Sequence, residues 1–262
     1  MYMINVCMTG STGVLGRLMI DKLSHSSDFN ITKITANIEH EEHILHDLPA
    51  QCDILIHLAA KVSTNQVNNS PDVAFNTNCI GTYNLISAVK RKYSELPYIF
   101  YSSTSHVYKP NDQPLDEQSR VQPHNIYGKT KLAGELALSS CYPGDKYCIG
   151  RIFSYYHESQ KPPFLYPNIL ARLNSHTSGV FEVPGGNSIR DFLNAEDVCN
   201  HILGIIKQSA TGIINIGSGV PETICEFIKR VCLSENCNLR LKPVGDSNAI
   251  YSTGTGERFL ND

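Results

Sequence analysis

Three glycines near the N-terminus constrain the fold more than any other feature of this sequence. Gly10, Gly13 and Gly16 lie three residues apart, directly after the apolar run Tyr2–Met8, and they open the helix-like segment Gly13–Leu23. In a strand–turn–helix unit the first glycine permits a tight turn, the second lets backbone N–H groups approach a pyrophosphate, and the third lets the helix pack on the strand. The helix N-terminus adds positive partial charge. A purely structural turn would use similar glycines, but this position favours a dinucleotide site.

Strand-like and helix-like segments alternate through the first half of the chain. The predicted strands are Tyr2–Met8, Ile31–Ala36, Asp53–Leu58, Tyr98–Tyr101 and Lys146–Phe153, and the predicted helices are Gly13–Leu23, Asp72–Lys92 and His124–Ser140. Strands separated by helices indicate right-handed βαβ units, and therefore an α/β, Rossmann-type, doubly wound parallel sheet. We expect residues 1–153 to form an NAD(P)-binding domain. Residues 154–262 are punctuated by Pro and Gly, which predicts a small C-terminal substrate-binding lobe, with a strand at Gly212–Gly217 completing the sheet.

The composition excludes several classes of protein. Lys and Arg number 22 against 25 Asp and Glu, so the net charge is −3, which argues against a nucleic-acid partner. No apolar run reaches the roughly 18 residues of a membrane span, and the N-terminus lacks the features of a signal peptide. The nine cysteines include no C-x-x-C pair and predict free thiols in a reducing compartment, the cytoplasm. His40, His43 and His46 lie in a charged segment without a second cluster, so no metal site is predicted.

A tyrosine and a lysine stand four residues apart in a helix-like segment. Tyr127 and Lys131 therefore share one helix face. A phenol with a pKa near 10 is a poor acid or base at neutral pH, and an adjacent ammonium group, with a nearby nicotinamide, would stabilise the phenolate and lower that pKa. The preceding strand ends in the hydroxyl cluster Ser102–Ser105, and one of these hydroxyls is placed to meet Tyr127 and a substrate oxygen. Taken alone, the same residues are also compatible with a solvated helix face and a capping turn.

Further motifs follow in order along the chain. They are T-G-x-x-G-x-x-G at 9–16, H-L-A-A at 57–60, N-x-x-G-T-x-N-L at 78–85, S-S-T-x-x-V-Y at 102–108, Y-x-x-x-K at 127–131, R-D-F at 190–192 with E-D-V at 196–198, and N-I-G-S-G at 215–219. Together they resemble the extended short-chain dehydrogenase/reductase family, in its NAD-dependent epimerase/dehydratase group, which acts on nucleotide sugars. The resemblance runs from residue 3 to about residue 230.

The resemblance implies a role for each matching position. Tyr127 would be the catalytic acid/base, Lys131 would orient the nicotinamide ribose and lower the pKa of Tyr127, and Thr104 would be the catalytic hydroxyl. Arg190 would bind the substrate diphosphate, and Ser154 and Thr104 would also contact the substrate. The implied cofactor-binding residues are Gly10, Thr12, Gly13, Val14, Leu15, Gly16, Asp47, Leu48, Leu58, Ala59, Ala60, Asn78, Tyr127 and Lys131.

The sequence also departs from the family pattern. Ser154 replaces a substrate-binding Asn, and Ser105-His106 follow Thr104 where the sugar dehydratases have Asp-Glu, so we do not expect elimination of water. The second predicted strand ends at Ala36-Asn37 without the acid that holds the ribose of NAD.

This missing acid favours NADP over NAD, with Lys33 or Arg17 available for its 2′-phosphate. The predicted activity is reduction of a 4-keto-6-deoxyhexose nucleotide. A 4-epimerase with bound NAD, and a non-catalytic NAD(P)-binding protein of the same fold, remain as alternatives. The resemblance also implies a homodimer formed through the two long helices, Asp72–Lys92 and His124–Ser140.

Overall fold

A parallel sheet of six strands forms the centre of the protein. The computed structural model describes residues 3–62, 64–175, 180–234, 240–256 and 258–260. The strands are β1 (Ile4–Thr9), β2 (Phe29–Ile34), β3 (Ile54–His57), β4 (Tyr98–Thr104), β5 (Tyr147–Ile152), β6 (Ser154–Tyr156), β7 (Val180–Pro184), β8 (Ile189–Asn194), β9 (Gly212–Ile216), β10 (Pro221–Thr223), β11 (Arg240–Val244) and β12 (Ala249–Ile250). The central order is β2-β1-β3-β4-β5-β9, all parallel, as the doubly wound prediction requires. Tyr2, where the first strand is predicted to begin, lies outside the described residues.

Helices cover both faces of this sheet. They are α1 (Val14–Ser24), α2 (Glu41–Asp47), α3 (Thr64–Asn69), α4 (Pro71–Phe75), α5 (Gly81–Lys92), α6 (Ile126–Cys141), α7 (Leu165–Ser175), α8 (Ala195–Lys207) and α9 (Ile224–Ser234). On one face α1 and α8 bury an apolar cluster that includes Met19, Ile56 and Ile202. On the other face α2, α5 and α6 bury a second cluster around Leu55 and Tyr101. The strands β1, β3 and β4 read as apolar runs because both faces are covered.

The strand order reverses between β1 and β3. From β1 the chain crosses to β2 on one side, and from β3 it crosses to β4 on the other side. A crevice therefore opens at the carboxyl ends of β1 and β3. The turn after β1 and the segment after β3 both end at this crevice. The position of the candidate site therefore follows from the topology.

The second half of the chain contributes both to the central body and to a separate lobe. It supplies β9 and α8 to the central body. The rest forms a small lobe, in which β8 pairs with β6, β10 and β12, and β7 pairs with β11. This lobe has its own apolar cluster, which includes Phe181, Phe227 and Val231. It lies over the carboxyl edge of the sheet and closes one side of the crevice.

The predicted helix Asp72–Lys92 is not a single regular helix. It begins at Pro71, which suits a first helical turn because its missing N–H is not needed there. A π-helical turn at Asn76–Ile80 separates α4 from α5. This wider turn buries Thr77 and Asn78, and Asn78 then supports the candidate site.

The described part of the chain contains neither a membrane-spanning helix nor a disulfide. Within it, no helix combines the length and apolarity needed to cross a bilayer. The eight cysteines that it contains are all free thiols. Cys237 lies outside the described residues.

Candidate active site

A cavity of about 860 Å³ lies between the carboxyl edge of the sheet and the lobe. The body contributes the turn after β1, the segment after β3, the end of β4 and the start of α6. The lobe contributes β6, the segment before α7, and side chains from β8 and α9. A volume of this size suits small-molecule ligands.

The glycine-rich turn has the geometry of a pyrophosphate cradle. Gly10 has φ +71°, and a Cβ there would lie 2.6 Å from the Ala59 nitrogen. A Cβ at Gly16 would lie 2.2 Å from the Gly10 oxygen, so both glycines are required by internal packing. A Cβ at Gly13 would meet only the Gly10 oxygen, at 3.3 Å, and Gly13 faces the cavity. With the free amides of the first turn of α1, these residues fit a dinucleotide diphosphate.

The segment after β3 is held in place by Asn78. Its side-chain oxygen accepts a hydrogen bond from the Lys61 N–H at 2.7 Å, and its amide donates to the Lys61 carbonyl at 3.0 Å. The same amide also donates to the Thr130 hydroxyl on α6, at 2.9 Å. Leu58, Ala59 and the neighbouring Ala60 line the cavity, whereas Asn78 lies behind them and positions them.

His57 supports this segment from the core. Its Nδ1 lies 2.7 Å from the Thr9 hydroxyl, and its Nε2 lies 3.1 Å from the Thr82 hydroxyl. Burial, together with the charge of Lys131, lowers the pKa of His57 to about 3. The ring is therefore neutral at physiological pH and acts as a structural cross-link between β1, β3 and α5.

Thr104, Tyr127 and Lys131 meet at the base of the cavity. Thr104 ends β4, whose last residues face the carboxyl edge of the sheet, and the other two lie on adjacent turns of α6. The side chain of Asn125 caps this helix by accepting a hydrogen bond from the Gly128 N–H at 2.7 Å. The cap fixes where α6 begins, and thereby which helix face Tyr127 and Lys131 present to the cavity.

Lys131 is almost fully buried, with 2% of its surface exposed. Its Nζ lies 4.1 Å from the centroid of the Tyr101 ring, a cation–π geometry. Glu135, one turn further along α6, is paired with Arg151, whose Nη2 lies 2.8 Å from its Oε2. Burial therefore outweighs the attraction of Glu135 and lowers the pKa of Lys131 to about 7.

The protein's own residues raise the pKa of Tyr127 above its ordinary value. Burial raises it above the ordinary value, the nearby Tyr155 raises it further, and only the hydrogen bond with Thr104 lowers it. The phenol is therefore protonated at neutral pH. A protonated phenol is the form that can donate a proton to a substrate oxygen.

The lobe brings Ser154 and Arg190 to the other side of the cavity. Arg190 Nη1 donates to the carbonyls of Ile189, at 2.7 Å, and Asn248, at 3.1 Å. Both of the hydrogen bonds found for Arg190 among the described residues use Nη1, so its other nitrogens are available to a ligand.

The next residue of the R-D-F motif has a structural role. Asp191 is fully buried and accepts hydrogen bonds from the N–H groups of Ser218 (2.8 Å) and Gly219 (3.0 Å) and from Ser252. It holds the loop after β9 against the C-terminal segment.

Asp47 and Leu48 lie outside the cavity. The Asp47 carboxylate accepts hydrogen bonds from the backbone N–H groups of Thr35 and Ala36, so it caps the end of β2. Leu48 is buried in the cluster beneath α2. The end of β2 has no acidic residue of its own, and Asp47 of α2 thus places a carboxylate there.

Sequence reasoning missed several residues that line the cavity. The lobe contributes several aromatic side chains, namely Tyr155, Tyr156, Phe164, Tyr166, Phe192 and Phe227. The cations are Arg17, Lys61, Lys131, Lys161 and Arg190, and none of the lining residues in the described part of the chain is acidic. Positive charge in a cavity attracts anionic ligands. The cationic residues lie far apart in the sequence, and no local pattern groups them.

Fold and site together define a dinucleotide-binding α/β protein with a Thr-Tyr-Lys centre. The family model described as the NAD dependent epimerase/dehydratase family matches residues 6–217. The chain therefore belongs to the NAD-dependent epimerase/dehydratase family, whose members are NAD(P)-dependent epimerases, dehydratases and reductases of nucleotide sugars. The predicted family and fold class are confirmed.

Relatives carry different activities at similar identity. A UDP-glucose 4-epimerase of Mycoplasma genitalium is 26% identical over 219 residues, which are 74% of this chain and 64% of that protein. A GDP-6-deoxy-D-mannose reductase of Pseudomonas aeruginosa is 28% identical over 208 residues, 76% of this chain and 67% of that protein. The structure of a dTDP-4-dehydrorhamnose reductase from Bacillus anthracis, in complex with NADP, has a TM-score of 0.86 at 21% identity and covers 98% of this chain and 92% of its own.

Proposed function

We propose that the protein reduces the 4-keto group of a 6-deoxyhexose linked to a nucleotide, with NADPH as reductant. The observation that carries the proposal is a protonated Tyr127 beside Thr104, at the base of a cavity lined by cations. Reduction of a carbonyl requires a proton donor, and an anionic nucleotide sugar requires positive charge. The names of two relatives, a GDP-6-deoxy-D-mannose reductase and a dTDP-4-dehydrorhamnose reductase, support the same reaction.

Each residue of the centre has a defined task in this reaction. The bound dinucleotide would supply the hydride to the carbonyl carbon. Thr104 would donate a hydrogen bond to the carbonyl oxygen, and Tyr127 would transfer its proton to that oxygen. Lys131, in its charged form, would stabilise the tyrosinate that remains. Arg190, from the lobe, would bind the diphosphate of the substrate through its available nitrogens.

The residues around Thr104 favour reduction over elimination of water. Elimination requires a base that removes a proton from the carbon next to the carbonyl and an acid that protonates the hydroxyl leaving from the following carbon. Ser105 and His106 occupy the two positions after Thr104, and neither is a carboxylic acid. With no acidic lining residue in the described part of the chain, we do not propose a dehydratase.

NADP is the proposed cofactor, and Arg17 its proposed phosphate partner. Arg17 lines the cavity next to the glycine-rich turn and is anchored by a hydrogen bond from Nη1 to the Thr12 carbonyl. Lys33 is exposed on β2, outside the cavity. Arg17→Ala should weaken NADPH binding about tenfold or more and leave NADH binding within a factor of two. Equal losses for the two cofactors would contradict this preference.

The alternative is a nucleotide-sugar 4-epimerase with tightly bound NAD, since the Thr-Tyr-Lys centre serves that reaction too. A reductase consumes NADPH one-for-one with a 4-keto dTDP- or GDP-sugar, whereas an epimerase interconverts two sugars without net consumption. The absorbance of the reduced nicotinamide separates them. If no keto sugar consumes NADPH while UDP-sugars interconvert, the reductase proposal fails.

A non-catalytic role is tested by Tyr127→Phe, which leaves the dinucleotide cradle intact. If the wild-type protein turns over a nucleotide sugar and the variant is equally active, the assignment of Tyr127 is wrong. If the wild-type protein binds NADPH but turns over none of the keto sugars and interconverts no UDP-sugar, the binding-protein alternative is favoured.

A homodimer is also proposed, with the second copy packed against α5 and α6. Exposed apolar side chains lie along α4, the π-helical turn after it, α5 and α6: Val73, Phe75, Ile80, Tyr83 and Leu136. Tyr83→Lys combined with Leu136→Lys should convert a dimer into a monomer in sedimentation. A wild-type protein that sediments as a monomer would refute this part of the proposal.

A further inference from the structure

His106 occupies a fixed place beside the Thr-Tyr-Lys centre. It lies in the short 3₁₀ turn Ser105–Val107 directly after β4, and it lines the cavity. The start of α6 packs closely on its backbone, because a Cβ at Gly128 would lie 2.2 Å from the His106 oxygen. Its ring contacts the Tyr127 ring edge-on, with centroids 5.7 Å apart. A ligand that reaches Tyr127 therefore passes close to His106.

The hydrogen bonds around Asn125 determine the tautomer of His106. As the cap of α6, Asn125 must present its side-chain oxygen to the Gly128 N–H, 2.7 Å away. Its amide nitrogen is then the atom that lies 2.7 Å from Nδ1 of His106. An amide nitrogen only donates, so Nδ1 must be the acceptor and carries no hydrogen. The ring hydrogen is consequently on Nε2.

The ring is also neutral. Three titratable or charged groups face it: Tyr127 on α6, His124 in the segment before α6, and Arg190 on β8. Burial, followed by the repulsion of His124 and Arg190, lowers the pKa of His106 to about 4. At physiological pH the residue thus offers one N–H group, and within the described parts of the chain Nε2 has no hydrogen-bond partner.

We propose that His106 binds the substrate, with its Nε2–H donating a hydrogen bond to a hydroxyl oxygen of the sugar held against Tyr127. This inference rests on the proposed function, because a nucleotide sugar supplies that oxygen. A neutral donor suits a hydroxyl group, whereas the phosphates are matched by the charge of Arg190. The fixed tautomer lets the site prefer a sugar with an acceptor at that position over a deoxy analogue.

Two substitutions of His106 separate its hydrogen bond from its volume. His106→Leu fills the space without a donor and should lower kcat/KM for the keto sugar about tenfold. His106→Gln carries an amide N–H near the position of Nε2 and should retain kcat/KM within about threefold. NADPH binding, followed by fluorescence titration, should be unchanged in both, since the His106 ring faces Arg190, the residue proposed to bind the substrate diphosphate.

Asn125→Asp tests the tautomer itself. The carboxylate still caps α6 through the Gly128 N–H, but it accepts from Nδ1–H, which moves the ring hydrogen away from Nε2 and raises the pKa of His106. Below that raised pKa the charged ring donates from both nitrogens. The kcat/KM of this variant, divided by that of the wild-type protein at the same pH, should therefore fall as the pH rises through the new pKa of His106. The loss of charge on Lys131 affects both proteins and cancels in this ratio.

The outcomes distinguish the inference from the proposed function. If the wild-type protein consumes NADPH with a keto sugar and His106→Leu has the same kcat/KM, the role of His106 is overturned alone. A ratio of Asn125→Asp to wild-type kcat/KM that does not change with pH also overturns it, and this measurement decides the question if His106→Leu fails to fold. A wild-type protein inactive on every nucleotide sugar overturns the proposed function and this assignment together.

Discussion

Replacement of Lys131 by methionine tests whether burial controls the charge in the candidate active site. The pKa of Lys131 is lowered to about 7 by burial, against about 10.4 for an exposed lysine. The unfolded chain therefore binds more protons than the folded protein between these two values, and stability rises with pH in that window. From pH 7 to pH 9 the contribution of Lys131 to the free energy of unfolding should rise by about 2 kcal/mol.

The assay is urea denaturation of the dinucleotide-free protein at pH 7, 8 and 9, for the wild type and for Lys131→Met. Methionine has a similar length and no charge to desolvate, so the stability of the variant relative to the wild type should be greatest at pH 7. Other groups titrate in both proteins and cancel in the difference between them. A difference that is constant from pH 7 to pH 9 would refute the reasoning, because it would mean that Lys131 has an ordinary pKa in the folded protein.

Three further predictions concern the centre, the cradle and the lobe. Tyr127→Phe should lower turnover of the keto sugar about 1,000-fold, since it removes the proton donor, and should leave NADPH binding intact in a fluorescence titration. Gly16→Ala places a Cβ 2.2 Å from the Gly10 oxygen and should abolish NADPH binding, whereas Gly144→Ala, with open space around its Cβ, should bind normally. Asp191→Asn should destabilise the protein by about 2 kcal/mol in urea denaturation, because the fully buried carboxylate accepts several hydrogen bonds from the loop after β9; an unchanged midpoint would contradict this role.

Much of the fold is predictable from short-range patterns in the sequence. The glycine spacing after β1 and the alternation of strands with helices predict the parallel sheet, and β1 to β5 each overlap a predicted strand. The π-helical turn at Asn76–Ile80 was not predictable in this way. No proline or glycine lies within it to interrupt the predicted helix, and its Asn78 forms hydrogen bonds with the segment after β3 and with α6, both far away in the sequence.

The residues of the centre were predictable, but their protonation states were not. Tyr127 and Lys131 share a helix face by their spacing alone. The spacing does not show how far each side chain is buried, and burial raises the pKa of Tyr127 and lowers that of Lys131. Likewise Asp191, in a motif with Arg190, forms hydrogen bonds within the protein, while Arg190 faces the cavity.

Local patterns along the chain specify three units in order: a cradle for a diphosphate, a hydroxyl at a strand end, and a tyrosine and lysine on one helix face. These follow from the 3.6-residue period of helices and the backbone freedom of glycine, which are properties of neighbours along the chain. Which groups lose water, and which hydrogen bonds replace it, depends on the packing of the whole protein. Desolvation and long-range hydrogen bonding depend on segments far apart in sequence, so the neutral His106 and the buried Lys131 became apparent only once β4, α6 and the lobe were brought together.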